Sequence, residues 1–252
     1  MTCDTTVLTG TSGAFHYKPA NTQACITAAD FPATGANIAL GTYLGFRVND
    51  PVTLAYPQGA TVTNAIPAAD YFIKTYAADT GIGTLAATVG GAAITATALP
   101  SGFGNAKATI SYKSFLPVGQ VRDWSFEITR AEIDVTTLGQ GAGQFAPFRK
   151  YQTSFADGSG SATVYFTDDD TSTANRMIQD VLQRKQTGAA MKLYIDEVFV
   201  NGVVSDPFSR FVQTDVVLTS ANLNVNPDDA IQVSINFRPS NTPVFDFTKA
   251  PA

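Results

Sequence analysis

From Ile231 to Arg238 apolar and polar residues alternate without a break. Ile231, Val233, Ile235 and Phe237 are interleaved with Gln232, Ser234, Asn236 and Arg238. A period of two places one set on each face of a sheet, apolar side inward, and no helix satisfies it. Met191, Leu193 and Ile195 alternate in the same way with Lys192, Tyr194 and Asp196, and the run continues through Glu197-Val198-Phe199-Val200 into an Asn201-Gly202 hairpin turn and Val203-Val204. Val121–Ile128, Ala131–Thr137, Ser161–Thr167 and Phe211–Thr219 add further strands. One segment has the helical period: Ala174, Met177, Ile178, Val181 and Leu182 form one apolar stripe. Asp170, Thr171 or Ser172 caps its start, Arg184 and Lys185 sit in its last turn and Gly188 ends it, which predicts a helix over about 172–186 laid on a sheet.

The first half has another texture. Between about 45 and 112 the chain is rich in Ala, Thr and Gly, with short β-like runs at Gly45–Leu54, Ala69–Tyr76, Gly83–Val89, Ala92–Ala98 and Ala106–Tyr112. Gly90-Gly91 predicts a hairpin, and Asp79-Thr80-Gly81 and Pro100-Ser101-Gly102 predict turns. We read 45–112 as a small all-β module, able at that size to fold by itself. It is inserted into a β-sandwich core formed by 1–44 and 113–252, whose polar, irregular residues 1–44 and C-terminal segment are read as including arms. Charge is uneven too: residues 1–113 hold five basic and five acidic groups, so the net charge of −5 lies wholly in 114–252.

Composition removes several functions. No run approaches the ~18 apolar residues of a membrane-spanning helix. Met1–Gly10 lacks the basic and apolar regions of a secretory signal, so cytoplasmic synthesis with Cys3 and Cys25 as free thiols is expected. Acidity argues against a reader of nucleic-acid phosphates. Any Ser-His or Cys-His machinery would need the one histidine, His16, which has no orienting partner at recognisable spacing. No zinc, P-loop or dinucleotide motif occurs, so no cofactor, no metal and no catalytic residue is expected. Asp168-Asp169-Asp170 lacks the spacing of a calcium loop and sits where a helix start favours negative charge. Glu127, Glu132 and Asp134 are read as surface positions on strands, since a glycosidase needs its two carboxylates across a cleft. Trp124 is read as core or interface packing.

Only 15% of residues are charged, against about a quarter in ordinary soluble domains, which suggests a surface covered by partners. The long connection Leu138–Asp157 is a candidate for that role. Its first part is glycine-rich, and its second carries Phe145, Phe148 and Tyr151 beside Arg149 and Lys150, a composition suited to a neighbouring subunit. The alternative is a loop folded over its own core. Phe245 and Phe247, after the last strand, either clip onto a neighbour or dock on their own domain.

The segment Trp124-Ser125-Phe126-Glu127-Ile128-Thr129-Arg130-Ala131-Glu132-Ile133-Asp134-Val135-Thr136-Thr137-Leu138-Gly139 resembles the opening of the tail tube proteins of long-tailed bacteriophages. The likeness covers roughly 114–252 and rests on the order of elements: strand pair, long loop, the Gly/Ser strand Asp157–Phe166, helix, hairpin and a last alternating strand ending in Arg238-Pro239-Ser240. The resemblance implies a mainly β fold, a two-sheet sandwich flanked by one helix. It also implies homohexameric rings that stack, with other tail proteins, into the hollow tube of a virion assembled in the host cytoplasm. Double-stranded DNA passes through such a tube without specific binding, and the long loop contacts the next ring. The 45–112 module departs from the minimal pattern, which keeps open a terminator or baseplate-proximal ring protein. A carbohydrate-binding β module or adhesin is the rival from another class.

Overall fold

The computed structural model describes residues 12–102, 105–119, 121–135, 149–166, 173–225 and 230–247. Along the chain run β1 (Ala14–Lys18), β2 (Gln23–Ile26), β3 (Ile38–Ala39), β4 (Pro51–Ala55), β5 (Ala69–Ala77), β6 (Ile82–Ala86), β7 (Ala108–Tyr112) and β8 (Leu116–Pro117). They are followed by β9 (Val121–Asp134), β10 (Tyr151–Tyr165), α1 (Thr173–Val181), β11 (Ala190–Asp196), β12 (Phe199–Val200), β13 (Val203–Val204), β14 (Arg210–Asn224), β15 (Gln232–Pro239) and β16 (Val244–Asp246). The protein is mainly β, with antiparallel sheets and a single α-helix among the described residues.

The larger sheet has the order β8-β1-β11-β14-β15-β10-β9. β14 carries it around a corner. The first half of β14 pairs with β11 and its second half with β15, with a register shift between Leu218 and Ser220. β16 also pairs with the first half of β14, Phe245 opposite Val212. The sheet thereby folds over on itself and buries one cluster: Phe15 and Tyr17 from β1, Met191 and Leu193 from β11, Val233, Ile235 and Phe237 from β15, and Met177 from α1. The rings of Phe15 and Phe237, from the two halves, lie 6.4 Å apart.

Gly160 shows why a sheet strand carries glycine. It lies between Phe126 on β9 and Phe237 on β15, whose rings stack at 6.4 Å and 9° across it. A Cβ there would meet the Phe237 ring and sit 2.8 Å from the Ser125 carbonyl oxygen. Gly160→Val is expected to cost about 1–3 kcal/mol by overpacking, measured as a lowered midpoint in thermal denaturation; an unchanged midpoint would show the rings to be free to move.

The second sheet has the order β2-β7-β4-β5-β6-β3 around its own core, including Ile26, Phe46, Leu54, Ile73, Leu85 and Ile110. It therefore reaches back to Gln23, ahead of the boundary at 45 suggested by texture. The N-terminal segment is shared between the sheets: β1 lies inside the larger one between β8 and β11, while β2 and β3 belong to the second. The turn at Gly90 forms with φ +68°, but Ala92–Ala98 is not a strand. It makes two isolated bridges, Ala93 to Ala86 and Ala96 to Gly35, and the Thr97 and Ala98 N–H groups donate to the Asn64 carbonyl.

Two other expectations change. Val121–Ile128 and Ala131–Thr137 were expected as separate strands; β9 runs unbroken through Thr129-Arg130. The helix ends at Val181, not near 186. Gln183 folds back to the Asp180 carbonyl, and the Gln186 side chain donates to the Leu218 carbonyl at 3.0 Å and accepts from the Leu218 N–H at 2.6 Å. The chain after Val181 thus serves the β14 corner, and Leu182 is left 86% exposed.

The two sheets meet at α1. The Arg176 guanidinium donates to both Asp50 carboxylate oxygens, at 2.6 and 2.9 Å, and to the Gly45 carbonyl, and lies 5.4 Å from the Tyr112 ring centre. One turn on, Asp180 accepts from the Tyr17 hydroxyl at 2.9 Å and the Ala20 N–H at 3.0 Å. Burial raises the Asp180 carboxyl above its usual pKa despite these bonds.

Candidate functional site

β9 and β10 pair along their whole length, from Val121 opposite Val164 to Asp134 opposite Tyr151. β15 supports β10 only from Gly160 to Tyr165. Beyond that point, Thr129–Val135 and Tyr151–Asp157 form a two-stranded ribbon that leaves the sheet. A lone pair of strands is marginal in water, yet this one exposes Ile128, Ile133, Val135, Tyr151 and Phe155. Between Thr153 and Ala156 a bulge sets Ser154 and Phe155 against the single residue Ala131. Bulges re-aim side chains, and Phe155 is 90% exposed.

Of the residues singled out by composition, Arg149, Lys150 and Tyr151 stand at the far end of this ribbon. Lys150 accepts the Val135 N–H, and the Arg149 guanidinium is 3.9 Å from Asp134. The second half of the expected loop is therefore strand. Phe145, Phe148, the glycine-rich stretch, Asp168–Asp170 and Cys3 lie outside the described residues. Phe245 and Phe247 are not on the ribbon. Their segment docks on its own domain along β14, with the two half-exposed rings 5.5 Å apart.

The outer face of β14-β15-β10-β9 is polar. Ser125 and Ser161 hydroxyls bond at 2.9 Å, Asn236 donates to Ser220 at 2.9 Å, Arg122 donates to Gln232 at 3.1 Å, and Arg238 is 3.4 Å from Asp157. Glu127 borders this face with Ser159 and Ser161, and Trp124 packs on the core side. β9 is also the end strand of the sheet, an edge of fourteen residues. Long exposed edges invite pairing with another chain.

A second feature was not visible in the sequence. A cleft of about 630 Å³ opens between β1, β8 and the β12–β13 hairpin. On its floor the His16 Nε2 lies 2.8 Å from Glu197, and the Lys192 ammonium is 2.6 Å from Asp206 and 4.0 Å from the Phe211 ring centre. The Tyr194 hydroxyl donates to Asp206 at 2.8 Å. Burial lowers the His16 pKa below its ordinary value in spite of Glu197, so the ring is neutral at pH 7. Burial works to raise Asp206, but the bonds from Lys192 and Tyr194 prevail and hold it below the usual carboxylate range. His16, expected in a polar stretch, is a buried strand residue. Among the described residues no hydroxyl or thiol hydrogen-bonds to it. These five titratable side chains come from positions 16, 192, 194, 197 and 206, a spacing that carries no motif. Among the described residues no three metal-ligating side chains cluster, and no helix is long and apolar enough to cross a membrane.

No family model matches the chain, and no curated protein matches it. Among solved structures, it is similar to a chain in the tail of an empty gene transfer agent particle with C6 symmetry. The identity is 18%, 53% of this chain and 87% of that one are covered, and the TM-score is 0.39. It is likewise similar to a chain in the virion of a native gene transfer agent particle, at 16% identity over 52% of this chain and 88% of that one, with a TM-score of 0.37.

Proposed function

We propose that the chain is a structural, non-catalytic subunit of a phage-type tail, forming hexameric rings that stack into a hollow tube. The observation that carries this reading is the β9–β10 ribbon. It is a long, partly apolar projection that, among the described residues, packs on neither core, and it is continuous with a fourteen-residue sheet edge. Copies joined through such edges bury what a lone subunit exposes, and closed rings leave no edge over. In this reading the polar face of β14-β15-β10-β9 looks into the bore. Its short hydroxyl and amide side chains bond to one another, and its charges come as opposed pairs such as Arg238 with Asp157. Such a wall has little to hold a phosphate backbone, and the net −5 of the second half repels it within the ~8–10 Å reach of charge at physiological salt. The subunit resides in the virion, with copies of itself and other tail proteins as partners. Residues 145–151 serve subunit contact, and Phe245 and Phe247 add a second apolar patch.

Negative-stain electron microscopy of the purified chain across a concentration series tests this. Hollow tubes with a regular axial repeat are expected. Single rings that never stack would assign it to an end of the tail, and monomers at every concentration would overturn the proposal.

A further inference from the structure

We propose that the cleft beside β8 is the socket that receives the ribbon of a second copy, through Arg149, Lys150 and Tyr151. This rests on the assembly reading above and names the surface that reading leaves undefined.

The cleft is built to take an aromatic side chain with positive charge around it. Phe115, Pro117, Val118, Phe199 and Val203 give it apolar walls from two separate parts of the chain. Its floor holds two carboxylates, Glu197 and Asp206, against one ammonium, Lys192, beside an uncharged His16. The balance is one negative charge in a largely apolar setting. The ribbon's end has the complementary composition: Tyr151 next to two consecutive cations. Arg149 is 73% exposed, and its 3.9 Å approach to Asp134 leaves its guanidinium able to take a better partner.

The socket is also rigid. The Ser209 hydroxyl accepts the Val198 N–H at 3.0 Å and donates to the Ser205 carbonyl at 2.7 Å, and the Ser205 N–H returns to the Val198 carbonyl at 2.8 Å. Asp206 ties the base of the hairpin to Lys192 and Tyr194. A preformed cleft loses little entropy on binding.

The occupant cannot be the chain's own ribbon. Val121, at the start of β9, lines the cleft, whereas Asp134 is thirteen residues further along a continuous strand, about 43 Å away at ~3.3 Å per residue. Ribbon and cleft are different patches on different parts of one subunit. A contact between them can therefore propagate from copy to copy, as a ring or a stack requires.

The test is site-directed cross-linking in the full chain with Cys3→Ser and Cys25→Ser. Gln152→Cys on the ribbon and Ser114→Cys at the cleft mouth are both exposed and leave the proposed contacts in place. With a short bis-maleimide under assembling conditions, the double variant is expected to give covalent multimers at least tenfold above either single variant. Arg149→Glu with Lys150→Glu should lower that yield at least tenfold. Rings or tubes visible by microscopy without excess cross-linking would overturn the socket and leave the assembly reading standing. Chains that remain monomeric by microscopy would overturn both.

Discussion

Arg176→Ala is expected to destabilise the protein by about 3–5 kcal/mol, the range for breaking a buried ion pair by removing one partner. The guanidinium is 6% exposed and the Asp50 carboxylate it grips is 8% exposed. Burial opposes the charge of Arg176, and its bonds to Asp50 outweigh that, so the pKa is raised further and the group stays charged. Truncation would leave the Asp50 carboxylate to the Arg47 N–H at 2.8 Å, and would free the Gly45 carbonyl and the face of Tyr112. The pair joins the two sheets, so its loss should also uncouple them. Urea unfolding followed by circular dichroism should show a lowered midpoint and a transition broadened toward two steps. Arg176→Lys keeps the charge but not the two-pronged geometry, and should fall between alanine and the natural chain. In the double variant Arg176→Met with Asp50→Asn, part of the loss should return because no buried charge is left unpaired. A loss below about 1 kcal/mol for Arg176→Ala would mean that water reaches the pair, and would remove α1 as the joint between the sheets.

Much of this architecture was legible where one face of an element meets a core and the other meets solvent. β15 and the first part of β11 are such cases. The Asn201-Gly202 turn was legible because both residues take positive φ, 53° and 79°, which few other pairs do. β1 was not legible: Phe15, His16 and Tyr17 are all buried, so no alternation survives. Phe15 and Tyr17 face the core while His16 faces the cleft. The helix end was missed because Leu182 continues the apolar period, whereas the chain beyond is committed to the Leu218 backbone through Gln186. Composition singled out Arg149, Lys150 and Tyr151, but read them as loop. The strand Thr129–Val135 alternates like any other, and nothing local says that the sheet beneath it stops at Gly160. That limit is set by how far β15 extends, about a hundred residues later. The cleft is a long-range product of the same kind, since β1 and β11 pair from Ala14 opposite Tyr194 to Lys18 opposite Ala190, which sets His16 opposite Lys192.

Cutting the ribbon back should abolish assembly while leaving the fold intact. Arg130 and Ala156 face each other across β9 and β10. Joining them through Asn-Gly replaces everything between with a two-residue turn suited to the twist of paired strands. The deletion removes Ile133, Val135, Tyr151 and Phe155 from the exposed surface, and none of these belongs to either core. β10 keeps its pairing with β15 from Gly160 to Tyr165, so the melting temperature should change by no more than a few degrees. The concentration needed for rings or tubes should rise at least a hundredfold, equivalent to about 2.7 kcal/mol of lost association energy. Light scattering and electron microscopy over the same concentration range would measure it. Phe155→Ser should give a smaller shift in the same direction, because the bulge presents that ring more fully than any other apolar side chain of the ribbon. If the shortened chain assembles at the concentration of the full one, the ribbon is an ornament, and the bare outer edge of β9 from Val121 to Ile128 must join the subunits by itself. If it neither assembles nor melts cooperatively, the ribbon supports the sheet from which it projects, and its exposed side chains answer to folding before assembly.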